Sequence, residues 1–357
     1  MRRSIHRRES GVVLALVLTL ALLLSVSMIG FARRGMLDTM IVRNRDDAVR
    51  AAALARGGVR LATALLIEDR LSKNLANFQI ANVRTTTPGN TYDDSWNQID
   101  GLTLVDADGG RLRLEIHDAG SRLNLNAVVP YTDDDSPADP DAEEFLMEIF
   151  EKIIDEMPID PGEKFYNPRE LAHNLIDYMD TDRIRLSGGN EDDYYREQDP
   201  PYTAANHPLL SVDELGLVEG FDVQLVDAVR PYVTVYPLVN GNGINLNTAP
   251  PHVLSLIYSG VSGQRRLVPE DTVARILKMR DEGRVICTGS QPKLDCVTLN
   301  QVDLGVGSLF PPTKLPDESD SFTIKAHATA GQIERTVVAV IDRRKLTRPK
   351  LLFWRME

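Results

Sequence analysis

Residues 12–32 read VVLALVLTLALLLSVSMIGFA, an apolar run without a charged side chain. A helix of about 20 apolar residues crosses a bilayer, so this run predicts a transmembrane segment. The arm before it carries four arginines and one glutamate. Because cytoplasmic flanks carry the excess of basic residues, we expect a single pass, with the amino terminus in the cytoplasm and the bulk of the chain on the far side.

Two simpler interpretations of this run stay open. A secretory signal peptide would have a shorter apolar core, of roughly 7–15 residues, followed by a small-x-small cleavage site. Residues 31–35, FARRG, offer no such site. A plain signal anchor fits the length. Gly11 is the unusual feature, because it is a small residue placed before the apolar run, directly after the basic arm.

Composition suits an exported protein with more than one domain. The 357 residues exceed what one compact core usually takes, and their formal net charge is −12. The first eleven residues contribute +3, so the chain from Val12 onward carries −15. Such a surface does not favour nucleic acid or anionic lipid. Cys287 and Cys296 predict a local disulfide in an oxidising compartment, with two unpaired thiols as the alternative.

The pattern after the apolar run predicts one long helix and two pairs of strands. Small and apolar residues recur at helical spacing over residues 33–78, so the run and this segment can form a single helix. Residues 100–105 and 111–117 predict one hairpin, and residues 321–329 and 332–342 predict another. This order predicts an α+β fold whose sheet is interrupted by an insertion.

We place the insertion at residues 128–236, which are acidic and mostly helical in pattern. Helices are predicted over Glu143–Met157 and Pro168–Met179, the second with Asn167 as its N-cap. A third helix begins after Ser211, which forms a capping box with the glutamate three residues on. The insertion therefore reads as a helical domain within the α+β domain.

An Asn-Leu-Asn motif occurs twice, at residues 124–126 and 245–247. Asparagine side chains cap turns at strand ends, so both motifs predict turns that bracket the insertion. The second motif, with the glycine-containing stretch 259–266 after it, also resembles a helix-hairpin-helix module that grips DNA phosphates. An anchored periplasmic module that binds DNA is therefore the alternative function, although the acidic charge of the chain opposes it.

The basic arm, Gly11 and the apolar run together resemble the type III signal of type IV pilins and pseudopilins. The resemblance implies that a prepilin peptidase cuts after Gly11 and methylates Val12, the new amino terminus. Most members carry Glu at the fifth mature position, where this chain has Leu16. The large minor pseudopilins, protein K of type II secretion systems, characteristically lack that Glu.

Further segments resemble the protein K family in the family's order, at residues 118–126, 175–182, 188–195, 202–209, 214–221 and 245–250. The resemblance implies a pilin-like fold, a long N-terminal helix with an antiparallel sheet, carrying a large inserted all-helical domain. It divides the chain into a leader (1–11), a transmembrane helix (12–32), a first pilin-like part (33–127), the inserted helical domain (128–236) and a second pilin-like part (237–357).

The same resemblance implies a minor pseudopilin in the inner membrane, at the tip of a short periplasmic pseudopilus. Its partners would be the minor pseudopilins I and J, with contacts to minor pseudopilin H and major pseudopilin G left open. The bulky insertion would stop another subunit from stacking above, so the subunit would cap the fibre and support the secretion of folded proteins across the outer membrane. The sequence contains no HExxH, GxSxG or Gly-Lys-Ser/Thr motif, so we expect no enzymatic activity.

An acidic cluster within residues 177–193 is the candidate metal site. Its members are Asp177, Asp180, Asp182, Glu191, Asp192 and Asp193, around the bend at Gly188-Gly189. Ca²⁺ takes six to eight oxygen ligands, and carboxylates this dense repel one another. The family resemblance implies calcium in the helical domain, and we assign it to Asp180, Asp182, Glu191 and Asp193, with Asp192 beside them. A solvated acidic loop is the alternative, and residues 133–135 are a poorer candidate.

Overall fold

The computed structural model describes residues 6–77, 91, 94–99, 101–131, 139–158, 165–261, 263–287, 296–302, 304, 309–310, 315–316, 318–345 and 347–357. Its α-helices are α1 (His6–Asn77), α2 (Ser95–Gln98), α3 (Leu125–Val128), α4 (Pro140–Glu156), α5 (Pro168–Met179), α6 (Asp192–Arg196), α7 (Val223–Val229), α8 (Pro251–Leu254) and α9 (Glu270–Asp281). Its strands are β1 (Thr103–Val105), β2 (Arg111–Asp118), β3 (Leu123–Asn124), β4 (Val233–Thr234), β5 (Tyr258–Ser259), β6 (Arg266–Leu267), β7 (Val285–Cys287), β8 (Cys296–Thr298), β9 (Leu309–Phe310), β10 (Ser321–Ala330), β11 (Ile333–Asp342) and β12 (Lys350–Met356).

The first helix is unbroken over 72 residues. The predicted single helix is therefore confirmed, and at 1.5 Å per residue it is about 108 Å long. Within the described residues it is the one helix long and apolar enough to cross a membrane, with the qualifying stretch at Val12–Lys73. Side chains from residue 12 to residue 46 are all exposed, so this part of α1 has no packing partner among the residues that the structure describes.

The second half of α1 lies against a five-stranded antiparallel sheet in the order β1-β2-β10-β11-β12. Both predicted hairpins are present, as β1–β2 and β10–β11. Small residues bring the helix close to the strands: a Cβ added at Gly58 would lie 2.8 Å from Leu112 Cδ1 and 2.9 Å from Leu114 Cδ2. Ala55, Val59 and other α1 side chains complete one buried cluster with β2, β10 and β11.

Contacts along α1 distinguish a near and a far end of the sheet relative to the apolar half. At the near end, Arg50 donates to the Asp106 carboxylate in the β1–β2 turn at 2.7 Å. At the far end, the Arg343 guanidinium donates to the Leu66 carbonyl oxygen at 2.7 Å, and Arg70 pairs with Asp320 at 2.8 Å. Both crossings between sheet and insertion, after β2 and before β10, therefore lie at the end remote from the apolar half.

The insertion is larger than the sequence predicts and is not all-helical. Its buried apolar side chains form a single cluster that runs from Leu123 to Leu315. Residues 237–315, predicted to belong with the pilin-like domain, contribute side chains such as Val253 and Phe310 to this cluster. Short strand pairs, β3–β4, β5 with β6 and β9, and β7–β8, lie within it. The cause is aromatic packing, because Phe145 of α4 stacks on Tyr258 of β5 at 4.8 Å between ring centroids.

Local capping follows the sequence in most places. Asn167 accepts a hydrogen bond from the Arg169 amide, as an N-cap of α5 should. In both Asn-Leu-Asn motifs the first asparagine accepts from the amide two residues on, at 3.0 Å, which confirms the two turns. Ser211 is a cap, but it opens a 3-10 helix (Val212–Leu217) rather than an α-helix, and Glu214 accepts from the Leu210 amide.

Candidate metal centre

Three carboxylates converge where α5 ends. Asp177, Asp180 and Glu191 each present an oxygen such that the three atoms lie within 4.8 Å of one another. Asp177 is in the last turn of α5, Asp180 caps that helix, and Glu191 immediately precedes α6. An antiparallel bridge between Ile184 and Asn190 closes the loop between them. The loop therefore folds back and brings Glu191 to the same site as Asp180, which is 11 positions earlier in the sequence.

The bend in this loop requires glycine. Gly188 and Gly189 have φ angles of 88° and 109°, a region that side chains with a Cβ rarely adopt. The Leu186 amide, just before this bend, donates to Asp177 Oδ1 at 3.0 Å. The Asn206 side chain donates to Glu191 Oε2 at 3.2 Å and also to the Asp182 carbonyl oxygen. These hydrogen bonds hold the loop around the carboxylates.

Two oxygens of this group are buried and lack a partner among the described residues, Asp180 Oδ1 and Glu191 Oε1. Glu191 is 1% exposed and Asp177 is 4% exposed. A buried carboxylate oxygen without a hydrogen bond costs free energy unless a cation or proton compensates it. The donor set is all oxygen, which suits a hard divalent cation such as Ca²⁺. The residues present therefore fit the implied calcium ion.

Burial and mutual repulsion shift the protonation of this group. Burial, followed by the charges of Asp182 and Asp177, raises the pKa of Asp180 to about 7. Burial, followed by the charge of Asp180, raises the pKa of Glu191 to about 8. Burial also raises the pKa of Asp177. Three ionised carboxylates are thus mutually unfavourable here at neutral pH, and a divalent cation would offset that repulsion.

The structure brings together only some of the predicted ligands. Of the five assigned residues, Asp180 and Glu191 are in the converging group. Asp182 lies near enough for its charge to affect both, but its Oδ1 accepts from the Ile184 amide at 2.7 Å. The Asp192 carboxylate is engaged by the Ala204 amide and Arg196, and Asp193 is exposed.

Asp177 completes the group in place of the assigned Asp192 and Asp193. The signal for it was present in the sequence, because Asp177 and Asp180 are three residues apart at the end of a predicted helix and therefore share one face. The poorer candidate, residues 133–135, lies outside the described residues.

The two cysteines are bonded to each other. Cys287 ends β7 and Cys296 begins β8, and their Cα atoms are 5.5 Å apart. These two strands pair in parallel with Val285 opposite Cys296, so the bridge runs diagonally from the end of β7 to the start of β8.

The stretch resembling a helix-hairpin-helix module has a different geometry. The chain between α8 and α9 forms a β-hairpin from β5 and β6. Its Arg265 points inward, donates to the Asp141 carboxylate and lies over the Phe310 ring. This arginine is therefore used for packing and is not presented to a phosphate backbone.

The processing residues lie in α1. Val12 and Leu16 are both exposed, in the part of α1 whose side chains are exposed throughout. Cleavage after Gly11 and methylation of Val12 stay predictions from the resemblance.

Comparison with known proteins points to one family. The model of the family described as type II secretion system (T2SS), protein K matches residues 121–238. Type II secretion system protein K of Klebsiella pneumoniae is 28% identical over 290 residues, 81% of this chain and 81% of that protein. The putative type II secretion system protein K of Escherichia coli (strain K12) is 32% identical over 157 residues, 44% of this chain and 45% of that protein.

A solved structure shows the same fold. In the GspK-GspI-GspJ complex of the type 2 secretion system from enterotoxigenic Escherichia coli, one chain matches this one with a TM-score of 0.59. The match has 20% sequence identity and covers 88% of this chain and 99% of that chain. The predicted α+β architecture, a long N-terminal helix with an antiparallel sheet and a large helical domain, is thereby confirmed.

Proposed function

The chain belongs to the protein K family of type II secretion systems, and on this premise we propose that it is the minor pseudopilin that caps the tip of the pseudopilus. The observation that carries the proposal is the position of the helical domain. Both of its connections to the sheet lie at the end of α1 remote from the apolar half. In a fibre built from parallel helices, that domain would occupy the space that a following subunit needs.

A fixed junction supports a capping role. The Asp118 carboxylate, at the end of β2, accepts hydrogen bonds from Asn245 at 3.2 Å, Thr248 at 2.5 Å and Ser319 at 2.6 Å. Burial raises the pKa of Asp118, and the hydrogen bonds from Ser319, Thr248 and the Gly120 amide oppose that shift. One side chain therefore ties the last strand before the insertion to both later segments of the chain. Such a network limits rotation of the helical domain, as a cap requires.

The unpartnered half of α1 supports membrane anchoring before assembly. Its side chains from residue 12 to residue 46 are exposed, and the apolar run at 12–32 matches the thickness of a bilayer. We infer a single-pass inner-membrane protein with a cytoplasmic amino terminus and a periplasmic body, cut after Gly11 and methylated at Val12 by the prepilin peptidase. The disulfide between Cys287 and Cys296 suits the oxidising periplasm.

The proposed partners are minor pseudopilins I and J. The similar solved chain was determined in a complex of GspK with GspI and GspJ. This chain has the same fold over nearly the whole of that relative, which supports a corresponding assembly. The role in secretion would follow from assembly alone, because a capped fibre acts mechanically and requires no catalytic group.

Calcium is proposed as a structural ion of the helical domain. Asp177, Asp180 and Glu191 would hold it, with Asp182 close by. The ion would supply the positive charge that the two buried, unpartnered oxygens lack. The residues themselves join the end of α5 to the start of α6, so bound calcium would stabilise the loop between them.

Two measurements test this function in cells that also express pseudopilins I and J. Mass spectrometry of the membrane form should give an amino terminus at methylated Val12, and an intact Met1 or a cut beyond Ala32 would contradict processing. The detergent-solubilised chain should co-purify with both I and J. The control is a Gly11→Leu variant, whose leader should stay attached. Co-purification of neither partner with a correctly processed chain would refute the assembly role.

A further inference from the structure

The last strand, β12, and the segment that leads into it are basic, which is unusual in this acidic chain. Residues 343–356 read RRKLTRPKLLFWRM, with basic side chains at Arg343, Arg344, Lys345, Arg348, Lys350 and Arg355 and no acidic one. The chain as a whole has a net charge of −12. Part of this charge is neutralised internally, because Arg343 is buried against Asp69 and Arg344 pairs with Asp342. Among the residues that the structure describes, Lys345, Arg348 and Lys350 are exposed and have no ion pair.

β12 is also an open edge of the sheet. It pairs with β11 on one side, and no described strand pairs with its other side. Trp354 lies opposite Ala339 and Leu351 lies opposite Ile341, both of which are buried beneath α1. Directly opposed residues share a face, so Trp354 and Leu351 are on the α1 side of the sheet. They nevertheless remain 40% and 54% exposed, because α1 packs mainly on β2, β10 and β11 and the cluster beneath it reaches β12 at Met356.

These features define a docking edge, formed by Trp354, Leu351, Lys345, Arg348 and Lys350. Charged side chains on an edge strand protect a sheet against aggregation, but exposed tryptophan and leucine side chains do not contribute to that protection. Free backbone groups beside apolar side chains are instead what an added strand uses, with the backbone giving affinity and the side chains giving specificity.

Charge and position decide the kind of partner. A second copy of this chain is disfavoured, because two basic edges would face each other. A membrane surface is also disfavoured, because Lys350 lies opposite Asp342, next to Arg343, at the end of the sheet remote from the apolar half of α1. A protein segment that carries acidic residues next to an apolar residue would complement this edge, because the carboxylates would pair with the basic side chains and the apolar residue would cover Trp354.

We propose that β12 pairs with an extended, acidic segment of another pseudopilus subunit, which adds a sixth strand to the sheet. The inference rests on the proposed function, since it assigns a surface of this chain to one of its assembly partners. The added strand would cover Trp354 and Leu351 on the α1 side. Its carboxylates would pair with Lys345, Arg348 and Lys350.

Photo-crosslinking tests which edge is occupied. The full chain is co-expressed with pseudopilins I and J, with p-benzoylphenylalanine replacing Trp354 in β12 or, as the control, Leu104 in β1 at the opposite edge. Both sites are exposed. We expect a covalent product with I or J from position 354 and none from position 104. Equal products from both edges, or products only with lipid or with a second copy of this chain, would overturn the proposal.

Charge reversal tests the electrostatic part. The triple variant K345E/R348E/K350E should lower the amount of the crosslinked partner that co-purifies by about tenfold, which equals about 1.4 kcal/mol. The matched control, R266E/K278E/R284E, makes the same charge change at exposed positions of the helical domain and should leave co-purification unchanged. The docking edge is wrong, and the proposed function stands, if the unaltered chain captures I and J, the triple variant captures them equally well, and position 354 gives no crosslinked product. If the unaltered chain captures neither partner, the proposed function itself fails.

Discussion

Removing the negative charge of Glu191 should stabilise the calcium-free protein and abolish its response to calcium. Glu191 is almost fully buried, one of its carboxylate oxygens has no partner among the described residues, and its pKa is raised to about 8. In Glu191→Gln the repulsion with Asp180 disappears, while the amide keeps the shape of the side chain and the contact with Asn206. The same change removes one of three proposed ligands, so calcium should then bind far more weakly.

The magnitude follows from the pKa of Asp180, which rises from 3.8 to about 7 on folding. Because the folded pKa is the higher one, the contribution to stability is fully present below about pH 4 and is lost as pH rises through about 7. Three pKa units correspond to about 4 kcal/mol. Asp180 is only half-buried and shares its repulsion with Glu191, so we expect about 2–3 kcal/mol between pH 5 and pH 8.

Thermal unfolding of the soluble periplasmic body, with its disulfide intact, measures this effect. The calcium-free protein should unfold about 5–10 °C lower at pH 8 than at pH 5, and 1 mM Ca²⁺ should remove most of that difference. Glu191→Gln should reduce the pH dependence, because it removes the raised pKa of Glu191 and leaves the burial of Asp180, and it should abolish the response to calcium. Asp193→Asn, at an exposed carboxylate outside the group, should alter neither dependence. Equal stability at the two pH values in the absence of calcium, or a calcium response that survives Glu191→Gln, would refute the reasoning.

Other predictions concern the packing of α1, a buried charge and the disulfide. Gly58→Val should lower the free energy of unfolding in urea by about 1–3 kcal/mol through overpacking, whereas Gly57→Ala, which meets nothing within 4 Å, should be neutral or slightly stabilising. A Gly58→Val protein with an unchanged free energy of unfolding would contradict the close contact of helix and sheet. Arg343→Met should cost about 3–5 kcal/mol by the same assay, because it leaves buried acceptors without their donor; a loss under 1 kcal/mol would contradict its role. Joint replacement of Cys287 and Cys296 by serine should lower stability by about 2–3 kcal/mol under oxidising conditions and change nothing under reducing ones.

Long periodic segments could be predicted from the sequence because their patterns repeat. The α1 helix follows from an apolar run joined without a breaker to small residues at helical spacing, and its structure is continuous over His6–Asn77. β10 alternates between buried and half-buried side chains over most of its ten residues, and the turn at Ala330-Gly331 leads into the apolar strand β11, so their hairpin is also well defined by pattern. In these elements the local preference and the tertiary packing agree.

The extent of the helical domain could not be predicted, because its later strands are too short to show a period. β5, β6 and β9 are two residues each. They belong to the helical domain through contacts with α4, such as Phe145 with Tyr258 and Phe310. The second Asn-Leu-Asn motif is a capped turn inside this domain and does not mark its exit, so the boundary predicted near residue 236 misses residues 237–315.

The sequence indicated the segment in which the candidate site lies, but only some of the carboxylates that form it. An acidic cluster around two glycines indicates where a cation could lie, but charge density alone does not show which carboxylates face inward. Asp192 and Asp193 are adjacent in the sequence to Glu191, yet the start of α6 turns them toward Arg196 and solvent. Asp177 joins the site because the end of α5 places it beside Asp180.

The capping role is tested most directly by locating this subunit on assembled pseudopili. Fibres would be sheared from cells that express the pseudopilins, and this chain would be labelled with gold through an epitope tag after Glu357. One label at a single end of each fibre is the predicted result, because under the proposed function the helical domain at the far end of α1 would occupy the space of a following subunit. Labels spaced along the fibres, or fibres whose ends carry none, would contradict the account.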